Sequence, residues 1–257
     1  IEIADSNDLS FGDGSNDSSF TISAWANLDS AAFQRFITKS SASNAEWLFG
    51  TSSQSKLAFT LYDNTGSAYN YKVSTATIST GQWYHFVGTY DASSDEFTLY
   101  INGSVDSGST GSLNYTAMHN TSAPVHIGKY ATANQFNNGK LDDIAIWNTV
   151  LPASDVLAIY NNGFPTDLTT NTVDYRFAAN LVGYWRMGNG REAGSGTTIY
   201  DMSKNSNNGT ITNDPTFIGT RIATLSNGPT WSNDSWNTLT KQTRNYSINF
   251  DGTNDYV

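Results

Sequence analysis

The sequence predicts an all-β fold: two antiparallel sheets packed face to face, with one short helix. Three observations predict it. Apolar and polar residues alternate with period two along several runs, as strands with one buried face require. Asn-Gly pairs stand at 102–103, 138–139, 162–163, 189–190, 208–209 and 227–228, and Asp-Gly at 13–14 and 251–252. Such pairs tolerate the positive φ of tight hairpin turns. Finally, 7 Trp, 14 Tyr and 13 Phe stand among only 14% charged residues, the profile of a turn-rich β-protein with large core side chains.

The elements follow in order. Ile1-Glu-Ile-Ala-Asp5 reads as the interior of a strand. Phe20, Ile22, Ala24, Ala26 and Leu28 face one way, with Thr21, Ser23, Trp25 and Asn27 opposite. Residues 57–61 alternate too. Residues 83–87 and 97–101 are β-rich, and the second enters a hairpin turn at Asn102-Gly103. Leu141 to Trp147 is a further strand, with Ile144 and Ile146 on one face. Residues 152–162 read as the helix, with Val156, Ile159 and Tyr160 on one stripe, Pro152 near its start and Gly163 beyond its end. Residues 164–180 read as a linker. A strand opens at Leu181-Val-Gly-Tyr-Trp185, 205–216 is loop-rich, 219–245 is irregular around Trp231 and Trp236, and Tyr246 to Phe250 returns to strand.

Composition narrows the function classes. At 257 residues the chain buries a sizeable core. Its net charge of -10, from 19 Asp and 4 Glu against 13 Lys and Arg, offers no basic patch for nucleic acid. Cys is absent, so disulfides and thiolate metal sites are excluded. No apolar run is long enough to insert into a membrane as a helix.

Catalytic residues are not expected. A glycosidase needs two carboxylates flanking a sugar bond, whereas Glu2, Glu46, Glu96 and Glu192 are scattered. Asp142 and Asp143 are adjacent, so on a strand they point to opposite faces and form no dyad. His85 reads as a packed strand residue, His119 as a loop residue, and His126 alternates with Val125 and Ile127. Their spacing does not suit zinc. A sugar site would instead use an aromatic platform. Trp47, Tyr62, Tyr69, Tyr71 and Tyr130 are the candidates, above all Trp47, Tyr62, Tyr71 and Tyr130, against the plain alternative that they fill the core.

The order Phe20-Thr-Ile-Ser-Ala-Trp25, Gly81-Gln-Trp-Tyr-His-Phe86, Leu99-Tyr-Ile-Asn-Gly103, Gly139-Lys-Leu-Asp-Asp-Ile-Ala-Ile-Trp147 and then the helix resembles a laminin-G-like (concanavalin A-like) jelly roll. The resemblance covers about 160 residues and implies the fold more strongly than any function, since this fold hosts lectins, adhesins, structural modules and glycosidases. It implies a non-catalytic module of a large repetitive virion or cell-surface protein, structural or adhesive, with an accessory lectin or a carbohydrate-active enzyme as the alternative. The implied partners are neighbouring repeats or identical subunits and cell-surface glycans, at an extracellular, cell-surface or virion-surface location. Related jelly rolls carry a structural calcium near the first and last strands, which would draw here on Asp142, Asp143, Asp251 and Asp255. The C-terminal motifs, ending in Phe250-Asp-Gly-Thr-Asn-Asp-Tyr-Val257, resemble the first strands of the same domain. Residues 1–163 are then a jelly roll lacking its first strands, and 181–257 supply the first strands of a second domain or, permuted, of the same one. We read them first as successive domains of a longer polypeptide.

Overall fold

The computed structural model describes residues 1–63, 67–131, 135–187 and 197–211, and the backbone of 216–218 and 247–251. The strands in chain order are β1 (Glu2–Ile3), β2 (Phe20–Leu28), β3 (Arg35–Ser40), β4 (Ala45–Thr51), β5 (Lys56–Tyr62), β6 (Tyr69–Thr77), β7 (Trp83–Asp91), β8 (Glu96–Ile101), β9 (Ser104–Asp106) and β10 (Ser109–Leu113). They continue as β11 (Val125–Ile127), β12 (Lys129–Tyr130), β13 (Gln135–Phe136), β14 (Asn138–Trp147), β15 (Leu181–Trp185), β16 (Thr198–Ile199), β17 (Gly209–Thr210), β18 (Thr216–Ile218) and β19 (Ser247–Asp251). The one α-helix among the described residues, α1, is Ala153–Tyr160. None of the described helices is long and apolar enough to cross a membrane.

Two large antiparallel sheets form a jelly-roll sandwich. One has nine strands in the order β10-β6-β5-β4-β3-β11-β1-β17-β16. The other has eight: β18-β19-β14-β2-β7-β8-β9, with β15 also on β14. A two-stranded ladder, β12-β13, stands apart. The alternation read from β2 is realised: Phe20, Ile22, Ala24, Ala26 and Leu28 all enter the core between the sheets. Phe20 stacks on Phe11 at 4.1 Å and meets Phe59 edge-on at 5.2 Å. Each such pair contributes roughly 0.5–1.5 kcal/mol beyond burial.

The hairpin at Asn102-Gly103 takes positive φ at both residues, 52° and 76°, as the favoured two-residue turn requires. The Asn102 side chain also accepts the His85 amide at 2.9 Å. Helix α1 follows Pro152 and ends at Asn161 with φ 45°, a left-handed stop. It buries Val156 and Ile159, while Tyr160 stacks over Trp25.

A second core lies under the helix, on the outward face of the eight-stranded sheet. Val87, Tyr100, Trp147, Val156, Ile159 and Tyr184 meet there. Residues 164–180 belong to it and are more than a linker. Tyr175 is fully buried, accepts Trp147 Nε1–H at 2.9 Å and donates to Leu168 O at 3.0 Å. The sequence shows one apolar break in this stretch, from Tyr175 to Ala178, while the isolated Leu168 gives no pattern to read.

The strands after 181 pair with strands before 163. β15 pairs with β14 from Ile144 to Trp147, and β19 pairs with β14 from Asn138 to Leu141. β17 lies against β1. Within this chain strands from both segments therefore lie in the same two sheets. Trp185 shows why: its ring sits in the main core and its Nε1 donates to Asn207 O at 2.9 Å.

Candidate functional site

Strand register decides which aromatic side chains reach water. On β5, Leu57, Phe59 and Leu61 face the core. Ala58, Thr60 and Tyr62 therefore face outward. Across the ladder Tyr62 pairs with Tyr69 and Thr60 with Tyr71, so β6 adds two tyrosines to the same face. Beyond them β10 places Gly111 beside Tyr71 and Leu113 beside Tyr69. All three tyrosines stay partly exposed.

The rings form a continuous row. Tyr62 and Tyr69 meet edge-on at 6.5 Å, and Tyr69 and Tyr71 are tilted at 5.9 Å. Tyr130, on the β12–β13 ladder, stacks on Tyr62 at 6.0 Å and 20°. That ladder is laid over the outward face of β3: Thr38 Oγ1 donates to Lys129 O at 2.7 Å, and the Ala131 amide donates to Ser40 Oγ at 3.1 Å. It stands as a wall beside Tyr62. Gly111 lets the Tyr71 ring lie across β10, because a Cβ there would stand 2.5 Å from the Tyr71 hydroxyl oxygen.

Arg35 anchors the wall. It is buried, with its guanidinium 5.8 Å from the Tyr130 ring centre and 5.6 Å from that of Phe33. Nε donates to Gln135 Oε1 at 2.8 Å, Nη2 donates to the same oxygen, and Nη1 donates to Thr51 O at 3.1 Å. Burial lowers its pKa to about 10, which leaves it cationic at neutral pH. Burial likewise pushes the Tyr62 phenol well above its ordinary range. Tyr62 thus enters any contact as a neutral hydroxyl on an apolar ring, able to stack and to hydrogen-bond.

Four of the five sequence candidates, Tyr62, Tyr69, Tyr71 and Tyr130, come together here. Trp47 does not. It pairs with Leu61 on the core face of β4, is fully buried, and donates Nε1–H to Leu9 O at 3.0 Å. Arg35, Gln135 and Gly111 escaped the sequence reading. The Tyr69-x-Tyr71 spacing was the one local signal for a shared face.

The acidic candidates lie elsewhere. Asp142 and Asp143 form a bulge in β14 against β2, with Asp143 at φ 43°. The Asp142 carboxylate accepts the Asp143 amide at 2.9 Å. Asp143 accepts the Tyr184 hydroxyl at 2.7 Å and lies 3.6 Å from Arg186 Nε. Asp251 is described by its backbone alone, opposite Asn138, and Asp255 lies outside the described residues. Among the described residues no three His, Cys, Asp or Glu side chains converge as a metal site would need.

His85, His126 and Glu46 each have local partners. His85 Nε2 shares a hydrogen bond of 2.8 Å with Ser23 Oγ. His126 is buried on the sheet, 3.4 Å from Glu2, and burial pulls its pKa down to about 4. Glu46 is sealed in, accepting the amide and hydroxyl of Thr121 at 2.8 and 2.7 Å. Glu192 lies outside the described residues. Where the glutamates are described, no two of them face each other across a cleft.

Known structures share this architecture. A protein from Bacteroides ovatus ATCC 8483, provisionally described as carbohydrate-binding, superposes with a TM-score of 0.54 at 21% identity over 81% of this chain. The match takes in 57% of that protein, so the chain spans little more than half its length. The CBM40 module of the Ruminococcus gnavus IT-sialidase, bound to α2,3-sialyllactose, gives a TM-score of 0.47 at 12% identity, covering 57% of this chain and 84% of that one. Domain 4 of AbnA, a GH43 extracellular arabinanase from Geobacillus stearothermophilus in complex with arabinotriose, gives 0.43 at 15% identity, covering 62% and 71%. At 21% identity the likeness to the Bacteroides protein is one of fold. No curated protein matches the chain in sequence. Residues 4–157, from the exit of β1 through most of α1, match the family model of the Concanavalin A-like lectin/glucanases superfamily, and the chain belongs to that laminin-G-like family.

Proposed function

We propose that the chain is a non-catalytic carbohydrate-binding module whose site is the tyrosine row of the nine-stranded sheet. The observation that carries this is the row itself. Tyr62, Tyr69, Tyr71 and Tyr130 are in mutual ring contact yet remain partly in water on a face that has every opportunity to be apolar and closed. Pyranose rings present apolar C–H faces between equatorial hydroxyls. A run of phenols offers flat faces for the first and hydroxyls for the second. Arg35 and Gln135 hold the wall rigid, so little ordering is needed on binding. The scattered glutamates favour binding over hydrolysis.

The wider role follows the sequence resemblance: a module in a large surface or virion protein, structural or adhesive, working outside the cell. The sequence flanking this chain tests that part, since further copies of the same motif order are expected there.

The test of the site is a glycan array followed by calorimetric titration of the best glycan. Binding by the wild type, lost in Tyr71→Ala with an unchanged circular dichroism spectrum, is the expected result. An array with no hits, or hits indifferent to Tyr62, Tyr71 and Tyr130, would sink the assignment.

A further inference from the structure

A second constellation lies far from the tyrosines, where the chain leaving β1 passes the ends of β3 and β4. The Lys39 side chain is entirely buried. Its Nζ lies 2.5 Å from Asp5 Oδ1, 2.7 Å from Ala123 O and 3.6 Å from Glu46 Oε1. The Glu46 side chain is as fully buried as that of Lys39. Its Oε1 is taken by Thr121, while Oε2 has no hydrogen-bond partner of normal geometry and has the Ser10 hydroxyl as a neighbour. Asp5 is the open member, with 34% of its side chain exposed.

Two carboxylates thus share one ammonium, with Lys39 and Glu46 shut off from water and Asp5 open to it. Such a cluster is poor value as a stabilising ion pair, because desolvation consumes much of the attraction. Burial raises the Glu46 pKa against the opposing pull of Lys39 and Thr121, so Glu46 is poised to hold and release a proton. The geometry is also that of a reaction. With Nζ in contact with Oδ1, the Asp5 carboxyl carbon lies about 3–3.5 Å from the nitrogen, the separation of a near-attack arrangement.

We propose that Lys39 and Asp5 condense into an intramolecular amide, with Glu46 as the proton carrier. The bookkeeping is closed. One proton passes from the Lys39 ammonium through Glu46 to the Asp5 carboxylate, leaving a neutral amine and a neutral acid. The Nζ lone pair forms the bond to Asp5 Cγ. The second proton passes from nitrogen through Glu46 to a hydroxyl on that carbon, the C–O bond breaks, and water leaves on the exposed side of Asp5. The third nitrogen proton stays on the amide. No oxidant, reductant or activated co-reactant enters, and Glu46 ends as it began. The product ties the exit of β1 to β3 across the end of β11, closing a loop between positions 34 residues apart. The anchored strand, β1, is only two residues long.

Mass spectrometry of the purified, folded chain tests this. The expected wild-type mass is lower than the sequence mass by one water, about 18 Da. After trypsin, the peptide ending at Arg35 should be joined to 36–56 through an uncleaved Lys39. Glu46→Gln should keep the full mass while retaining the wild-type circular dichroism spectrum, and Asp5→Ala should leave the 36–39 peptide released. A folded wild type of full mass, with cleavage at Lys39, would show a buried ion pair only and overturn the proposal. So would a water loss confined to a linear peptide, which marks dehydration of an Asp by itself. Complete condensation in Glu46→Gln would remove the role given to Glu46. The wild-type mass decides the matter even if a variant fails to fold.

Discussion

The two sheets share one core but treat their outward faces in opposite ways. The eight-stranded sheet carries Trp25, Trp147 and Tyr184 outward, and all are buried beneath α1 and the stretch around Tyr175. The nine-stranded sheet carries Tyr62, Tyr69 and Tyr71 outward and leaves them partly in water. Residue type and alternation are alike on the two faces. What differs is a cover supplied by chain remote in sequence. An aromatic side chain on a sheet is therefore structural or available according to what crosses above it.

The comparison can be broken most severely at the covered face. Trp147→Ala should cost about 3–5 kcal/mol in urea unfolding, through the cavity it leaves. Next, Tyr175→Phe removes the acceptor of the Trp147 indole N–H, and a buried donor left unpaired costs about 1–3 kcal/mol. Indole fluorescence followed through the same titration would report both. At the open face the order of effects inverts. Tyr71→Ala should lower glycan affinity at least tenfold, about 1.4 kcal/mol, while moving stability by less than about 1 kcal/mol. Gly111→Ala sharpens this. The added methyl would collide with the Tyr71 ring, so the ring must lift, and affinity should fall while the melting temperature barely moves.

The smallest effect is a pH dependence. Burial would raise the Asp155 pKa, but hydrogen bonds from the Arg176 guanidinium and amide hold it below the usual carboxylate value. A depressed carboxylate contributes stability above its unfolded pKa and loses it as pH falls through the folded one. The part of the acid-side destabilisation that Asp155→Asn removes should therefore appear below about pH 4, with no change in slope at neutral pH.

How much of this could be read beforehand depended on whether local pattern matched global burial. β2 was legible because its inward set alternates without interruption. β3 was not: a bulge between Arg35 and Ile37 puts the neighbours Phe36 and Ile37 both in the core, which spoils the period. β10, Ser109–Leu113, is an edge strand with no alternation to betray it, its one large apolar residue, Leu113, being exposed. In the site, Tyr62, Tyr71 and Tyr130 were visible as aromatic candidates, yet so was Trp47. Separating them needs the parity of each position relative to the core, and the pairing of Trp47 with Leu61 reveals that only once the strands are in register. Arg35 and Gln135 lie 100 residues apart in sequence, beyond the reach of any spacing rule.

The handover on β14 has a mechanical consequence. One edge of this strand is held throughout by β2, while the other is served by β19 before the Asp142–Asp143 bulge and by β15 after it. Two separate pieces of chain thus zip onto one rail from either side of a stop. Neither piece pairs with the half of the rail that the other occupies. Amides on the two halves of that edge should therefore exchange with solvent as two independent groups, with the bulge as the boundary between them.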